Sequence, residues 1–535
     1  MRQAAPRIRR AALAALAGAA LGGCVSLAPE YERPALPVAG SYPAPPSLPA
    51  SAALAPGAIA ATPADRAAVD VPWQQFFNDE RLESLIALAL QNNRDLRVAV
   101  ASIEQARAIY QIQRADQVPN VNLGAIGNRL TNPDGSITAS YVVGLSLASF
   151  ELDFFGRVKS LSDAALDLYL ASEEARRSAQ ITLIAAVANA YYSVLADNEQ
   201  LALAVRTSQT REVSLQLTQL RFDNGVASEL DMAQARSLVE GARVAQAALT
   251  RLRAQDENAL VLLVGTPVKL DLAPDARLAD TQVGPTLPAG LPSELLTHRP
   301  DIRQAEQQLR AANANIGAAR AAFFPRISLT ASTGFASGDL LGLFDSGTLA
   351  WSFTGQLLQP IFDGGRNQAN LESSQAGREI AVAQYEKAIQ VAFREVADAL
   401  ASRAALRDQL IALQAQVRAE EARVRLAELR YRGGVTPFME VLDAQRSLFA
   451  VQQSVIQIQL AQRQNQVGLY KALGGGWKDG AGSTPTAAGQ ASHAPLSAAQ
   501  PAQPAQPAQL APPTPPAAVT SAVTSAVTSA SAPSR

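Results

Sequence analysis

Asp95-Leu96-Arg97, followed by Ala99, Ala106, Pro119, Val121 and Leu123, returns about 206 residues later. The second copy is Asp301-Ile302-Arg303, followed by Ala305, Ala312, Pro325, Ile327 and Leu329, with no gap. Downstream, Phe155-Gly156-Arg157 is echoed by Gly364-Gly365-Arg366. Leu220-Arg221-Phe222-Asp223-Asn224-Gly225-Val226 is echoed by Leu429-Arg430-Tyr431-Arg432-Gly433-Gly434-Val435. Solenoid repeats run about 20–50 residues, so this period marks a duplicated half-protein. Whatever the chain does, two similar halves side by side must build it.

Each half reads as helix, strand pair and long helical hairpin. Leu82, Leu85, Ile86, Leu88 and Ala89 recur at helical spacing. A second helix is expected from about Asp95 to Asp116, stopping before Pro119, with Asp301 to Ala322 as its counterpart. Val121, Leu123 and Ala125 then alternate with Asn122, Gly124 and Ile126. Tyr141, Val143, Leu145 and Leu147 follow the polar turn Asn132-Pro133-Asp134-Gly135. In the second half, Ile327, Leu329 and Ala331 precede Trp351, Phe353, Gly355 and Leu357. Strands of about eight to ten residues with this alternation suit half-buried soluble hairpins or membrane-crossing strands.

No proline occurs from Arg157 to Asn224 or from Arg366 to Gly433. Each stretch predicts a helix of about 67 residues, or about 100 Å. Such rods need neighbours along their whole length. Return helices are expected at about Glu229–Leu263 and Phe438–Leu473. If the strands cross a membrane, four cannot close a barrel, and an open edge in hydrocarbon leaves unpaired backbone groups. Two chains would give a side-chain-filled eight-stranded barrel, and three a twelve-stranded one with a lumen. The residues alone leave that number open.

Composition narrows the chemistry. The net charge is -1 and aromatics are 5% of the chain, so bulk attraction to nucleic acid is not expected. There is one cysteine, Cys24, and two histidines, His298 and His493. A Cys/His zinc site is excluded by counting, and nothing around His298 resembles a catalytic turn. No enzyme activity, metal or cofactor is expected, apart from a covalent lipid on Cys24. Arg2, Arg7, Arg9 and Arg10 precede a short apolar run, Ala11 to Leu21, and then Leu21-Gly22-Gly23-Cys24. That run is too short to span a bilayer and has secretory flanks. The stretch resembles a bacterial lipobox, with cleavage before Cys24; Val25 in place of aspartate points to the outer membrane. The expected organisation is a signal peptide (1–23), a lipidated extended arm (24–72), a first repeat (73–285), a second repeat (286–476) and a disordered Pro/Ala/Thr/Ser-rich tail (477–535).

From about Pro72 to Leu473 the chain resembles the TolC-like outer membrane factors, specifically the OprM and NodT type of efflux lipoprotein. The motifs are Glu151-Leu152-Asp153-Phe154-Phe155-Gly156-Arg157, Pro360-Ile361-Phe362-Asp363-Gly364-Gly365-Arg366, Arg430-Tyr431-Arg432-Gly433-Gly434-Val435 and Leu442-Asp443-Ala444-Gln445-Arg446-Ser447-Leu448. Phe150 stands where that family often has tryptophan. The resemblance implies a mainly α protein with a small β-barrel contribution: a long periplasmic coiled-coil tunnel and four transmembrane strands per chain, in a trimeric twelve-stranded barrel. It implies an outer membrane location, lipid-anchored and membrane-spanning, with most of the chain in the periplasm. The function implied is a passive exit duct for small molecules such as drugs, in a tripartite pump. Its partners would be two further copies of the chain, a periplasmic adaptor, an inner membrane transporter of the RND type and outer membrane lipid.

By the same resemblance, Arg221, Asn224, Gly225 and Val226, with Arg430, Gly433, Gly434 and Val435, form the tips where the adaptor docks. Asp231, Met439, Glu440 and Asp443 fall at the periplasmic gate. Residue type alone also allows helix stops at the tips and a solvated helix face at the acids. Two rival classes stand beside the efflux reading: a protein-secretion channel of the same fold, and a helical strut between membranes that conducts nothing.

Overall fold

The computed structural model describes residues 27–43, 68–273, 276–281, 287–288, 290 and 292–478. The expected signal peptide, Cys24 and the tail from residue 479 lie outside the described residues. The main helices are α1 (Glu80–Asn92), α2 (Arg94–Ala115), α3 (Arg157–Asp223), α4 (Glu229–Val264), α5 (Pro300–Ala321), α6 (Arg366–Arg432) and α7 (Phe438–Ala472). The strands are β1 (Val121–Thr131), β2 (Ile137–Leu152), β3 (Arg326–Ser337) and β4 (Leu349–Leu358). Both long helices have 67 residues, as the proline-free stretches predict.

The four strands form one antiparallel sheet in the order β1-β2-β3-β4. Below them, α2 packs on α3, α3 on α5, and α5 on α6. Each strand thus runs into a helix holding the same place in the row, and both strand-connecting loops lie at the end away from the helices. The register sorts the side chains. Leu123 pairs with Leu145, Val143 with Phe335, and Ala331 with Phe353, giving one apolar face. Asn122 pairs with Ser146, Ser146 with Ser332, and Ser332 with Ser352, giving a small and polar face.

Strict alternation fails once, between Leu147 and Phe150. One extra residue bulges there, and Ser149 takes φ 50°. The slip keeps Phe150 on the apolar face, opposite Leu329, and turns Glu151 to the polar face, opposite Ser328. Glu151 then receives Arg157 at 2.7 Å and Arg326 at 2.6 Å, tying β2 to the starts of α3 and β3. Asp153 accepts the amides of Arg157 and Lys159, and Asp363 those of Gly365 and Asn367. The Asp of each strand-to-helix motif therefore serves to start its long helix.

The core lies midway along the long helices, not at their ends. Phe76 stacks on Tyr470 at 4.0 Å, and the Tyr470 hydroxyl donates to the Val71 carbonyl. Tyr191 donates to Asp79, which also caps α1. Tyr191, Tyr192 and Tyr385, from both halves, are fully buried in this belt. One window of α3 is apolar and long enough to cross a bilayer, but it is two-thirds buried among its neighbours. It is belt core. The two long helices differ in what they bury. α3, in the middle of the row, buries residues from Val158 to Thr218; α6, at the flank, buries little outside Ala381–Ala399. On the other flank, α2 buries only Leu96.

The arm from Leu27 climbs α5. Tyr42 stacks on Phe393, and Arg33 forms a two-pronged pair with Glu306. Higher up, Asn313 donates to the Pro29 carbonyl and Arg320 to that of Leu27. Gly317 lets Ala28 lie against the helix: a Cβ there would stand 2.8 Å from the Ala28 nitrogen.

Gly144 and Gly334 face each other at the seam between the repeats, each where a side chain would strike the other's backbone. Gly144→Val is expected to lower the yield of folded protein, whereas Gly124→Ala, in open space, leaves it unchanged. Quantifying folded protein by heat-modifiable gel mobility checks this. In the belt, burial and then the adjacent Asp256 carboxylate push Asp197 up to about 7, against a pull from Arg253. Folding then retains a proton that the unfolded chain releases near pH 4, so stability falls as pH rises from about 4 to about 7. Thermal unfolding across that range should show the slope, and Asp197→Asn should flatten it.

Candidate functional site

The far ends of the helical hairpins, away from the sheet, carry the residues singled out above. Both tips are built the same way. At the first, the Val226 amide donates to the Arg221 carbonyl and the Gly225 amide to that of Phe222. At the second, Val435 donates to Arg430 and Gly434 to Tyr431. This is a Schellman closure, and it needs a left-handed residue after the cap: Gly225 has φ 70° and Gly434 φ 71°. Asn224 and Gly433 are the caps themselves, and the Asn224 side chain also donates to the Leu220 carbonyl. Each tip ends on a bare valine: Val226 is 74% exposed and Val435 69%.

The two tips are fastened together. Ala235 and Leu238 of the first hairpin share an apolar cluster with Phe438, Val441 and Leu442 of the second. The Arg221 guanidinium lies over the Tyr431 ring at 4.9 Å, and Tyr431 packs on Phe438. Tyr431 was not singled out in the sequence. Its one legible signal is that it replaces Phe222 in the repeat.

The four acid-site residues divide. Asp231 is spent on the start of α4: the Ser228 amide and hydroxyl both donate to its carboxylate, and the Ser228 oxygen accepts the Asp231 amide. This reciprocal capping box was legible as Ser228 three residues before an acid. α7 has Pro437 in the capping place, so Glu440 has no such partner. Among the described residues, no hydrogen bond or ion pair involves its side chain. Asp443 pairs with Arg423 of α6, whose fork also reaches Glu420 and Ser447. Arg423 is the member of this cluster that sequence reasoning missed, because its partner lies across a hairpin and no motif marks it. In the first half, Ser214 and Gln234 stand at these two places, so the pair belongs to one hairpin only. Met439 is 50% exposed on the same side as Glu440 and Asp443, while Phe438, Val441 and Leu442 are buried. Burying one face of α7 leaves the acids and Met439 on the other. Among the described residues there is no group of three or more metal-binding side chains.

The Outer membrane efflux protein family matches this chain over residues 85–266 and 291–475, once in each half. The chain belongs to the outer membrane efflux protein family. It is 47% identical over 469 residues to the toluene efflux pump outer membrane protein TtgC of Pseudomonas putida, covering 86% of this chain and 94% of that one. It is 46% identical over 468 residues to the outer membrane protein OprJ of Pseudomonas aeruginosa, with coverage of 86% and 94%. In structure it resembles the open-state MtrE outer membrane channel of Neisseria gonorrhoeae, with a TM-score of 0.76 at 40% identity, covering 85% of this chain and 99% of that one. The fold is that of the TolC-like outer membrane channels, as the motifs implied. The protein is an outer membrane protein.

Two measurements probe the tip. Ser228→Ala is expected to cost about 1 kcal/mol of local helix stability. Faster amide exchange in the first turn of α4 would register it. Arg423→Ala should lower the melting temperature at least as much as Asp443→Ala, and the double variant no further than Arg423→Ala alone. Additive losses would show that the two side chains act independently.

Proposed function

We propose that three copies of this chain form the exit duct of a tripartite efflux pump, passing small molecules passively from periplasm to exterior. The observation that carries this reading is the open flank at both levels. β1 and β4 each leave one edge unpaired, and α2 and α6 each leave a long face bare. In hydrocarbon an unpaired edge costs several kcal/mol per backbone group, so strands of neighbouring copies must close it. Two copies give a barrel that side chains fill; three give twelve strands and a lumen lined by the small polar face. The bare faces of α2 and α6 then close the tunnel beneath.

Cys24 is the proposed lipid anchor. Its support is the direction of the arm: Leu27 is held beside the last turn of α5, where the chain enters the membrane strand β3. Several acyl chains there would hold the chain on the same leaflet its barrel enters. The exposed valines Val226 and Val435, on two rigid turns, are the docking points for a periplasmic adaptor. That adaptor links the duct to an inner membrane transporter of the RND type, and the duct itself performs no chemistry. TtgC is named for toluene, and other relatives for solvents and antibiotics. Small apolar and amphiphilic organic molecules are the cargo proposed here.

At the periplasmic end, Glu440 and Asp443 recur three times around one axis, beside Met439. Like charges held close favour counter-ions and oppose full ionisation. Asp443, tied to Arg423, braces the two helices of the second hairpin against each other. Purified protein in a planar bilayer should conduct, and replacing Glu440 and Asp443 with alanine should raise single-channel conductance. Absent conductance overturns the duct; unchanged conductance in the variant, together with unchanged antibiotic susceptibility of cells carrying it, overturns the gating role.

A further inference from the structure

The two loops at the outer end of the sheet differ in kind. The β1–β2 turn is Asn132-Pro133-Asp134-Gly135-Ser136, and its side chains bond to one another: Asn132 donates to Ser136 and Thr138, and Ser136 to Asp134. The β3–β4 loop carries Asp339-Leu340-Leu341-Gly342-Leu343-Phe344-Asp345 instead. Leu341 is 94% exposed, Phe344 69% and Leu340 59%.

This exposure is held in place by the loop's own bonds. The Asp339 carboxylate accepts the Leu341 amide, and the Leu340 carbonyl accepts the Leu343 amide. The Thr348 hydroxyl donates toward the carbonyls of Leu343 and Asp345, and the Thr348 carbonyl accepts the Ala336 amide. Leu343 is buried within the loop. A hydrogen-bonded loop that turns three large apolar side chains outward is not a solvated connector.

Its direction is given by one contact. The Phe344 ring meets the edge of Phe335 at 5.3 Å. Phe335 pairs with Val143 and Leu349, on the face that also carries Leu145, Trp351 and Phe353. The loop therefore extends the apolar surface beyond the strand ends, and turns away from the polar face that would line a lumen.

We infer that Leu340, Leu341 and Phe344 form an apolar wedge that sits among the acyl chains of the outer leaflet. The second half of the duplication thus grips the membrane at its outer rim, where the first half meets water. The wedge rests on the sheet crossing the membrane with its apolar face outward, so the test reads both.

Leu341→Cys, Leu145→Cys and Asp134→Cys are each labelled with a nitroxide in protein reconstituted into phospholipid vesicles, with the unsubstituted chain as the labelling blank. Relaxation by dissolved oxygen reports lipid, and relaxation by a water-soluble nickel chelate reports solvent. The expected result is that the label at 341 behaves as at Leu145, relaxed by oxygen and losing the nickel effect, while the label at 134 does the reverse. Nickel access at 341 comparable to 134 overturns the wedge. Access by neither reagent at 341, the signature of cover by a neighbouring copy or by a closed mouth, also overturns it. Nickel access at Leu145 would instead overturn the orientation of the sheet, and the wedge with it.

Discussion

Backbone amides and carbonyls cannot be left unpaired in hydrocarbon, and the architecture follows from that constraint. Four antiparallel strands satisfy one another except along β1 and β4. The helices repeat the problem in a milder form. α2 and α6 sit under those edge strands and leave long faces bare, whereas α3, inside the row, is packed along most of its length. An edge at the level of the sheet is thus an edge at every level below it, so in the proposed assembly one set of neighbours would close barrel and tunnel together.

The protomer still needs cohesion of its own before assembly. It gets this from the belt midway along the rods, where Tyr191, Tyr385, Phe76 and Tyr470 bring both repeats into one core. A second, smaller cluster locks the hairpin ends, with Arg221 reaching over Tyr431. Between these points the buried residues are fewer, with Ala204, Ser208 and Ala242 beside Val239, Leu249 and Val451. That suits a tube whose walls must stay long and thin. The tips are stiffened by Schellman closures rather than by bulk, which leaves Val226 and Val435 exposed.

Most of the fold was legible because period is a local property. The proline-free stretches gave both 67-residue helices, and alternation around Leu123, Leu145 and Phe353 gave the faces of the sheet. The candidate site was legible only in part. Gly225 and Gly434 were readable because a left-handed turn selects glycine. Asp231 was grouped with Glu440 by the family resemblance, yet its carboxylate serves a capping box that Pro437 denies to the second half. Arg423 carried no signal, since the carboxylate it meets is a hairpin away.

The sequence by itself determined the duplication, the length of every rod, the apolar and polar sides of each strand and the glycines at each reversal. These depend on spacing and backbone freedom, which a single chain carries in its order of residues. Tertiary structure decided what depends on register. It placed the bulge at Ser149 that carries Glu151 to the polar face, where Arg157 and Arg326 meet it. It joined Asp443 to Arg423, and it turned Phe344 onto Phe335. A shift of one residue reverses every side chain on a strand, and a partner across a hairpin is fixed by packing; neither is written in local order.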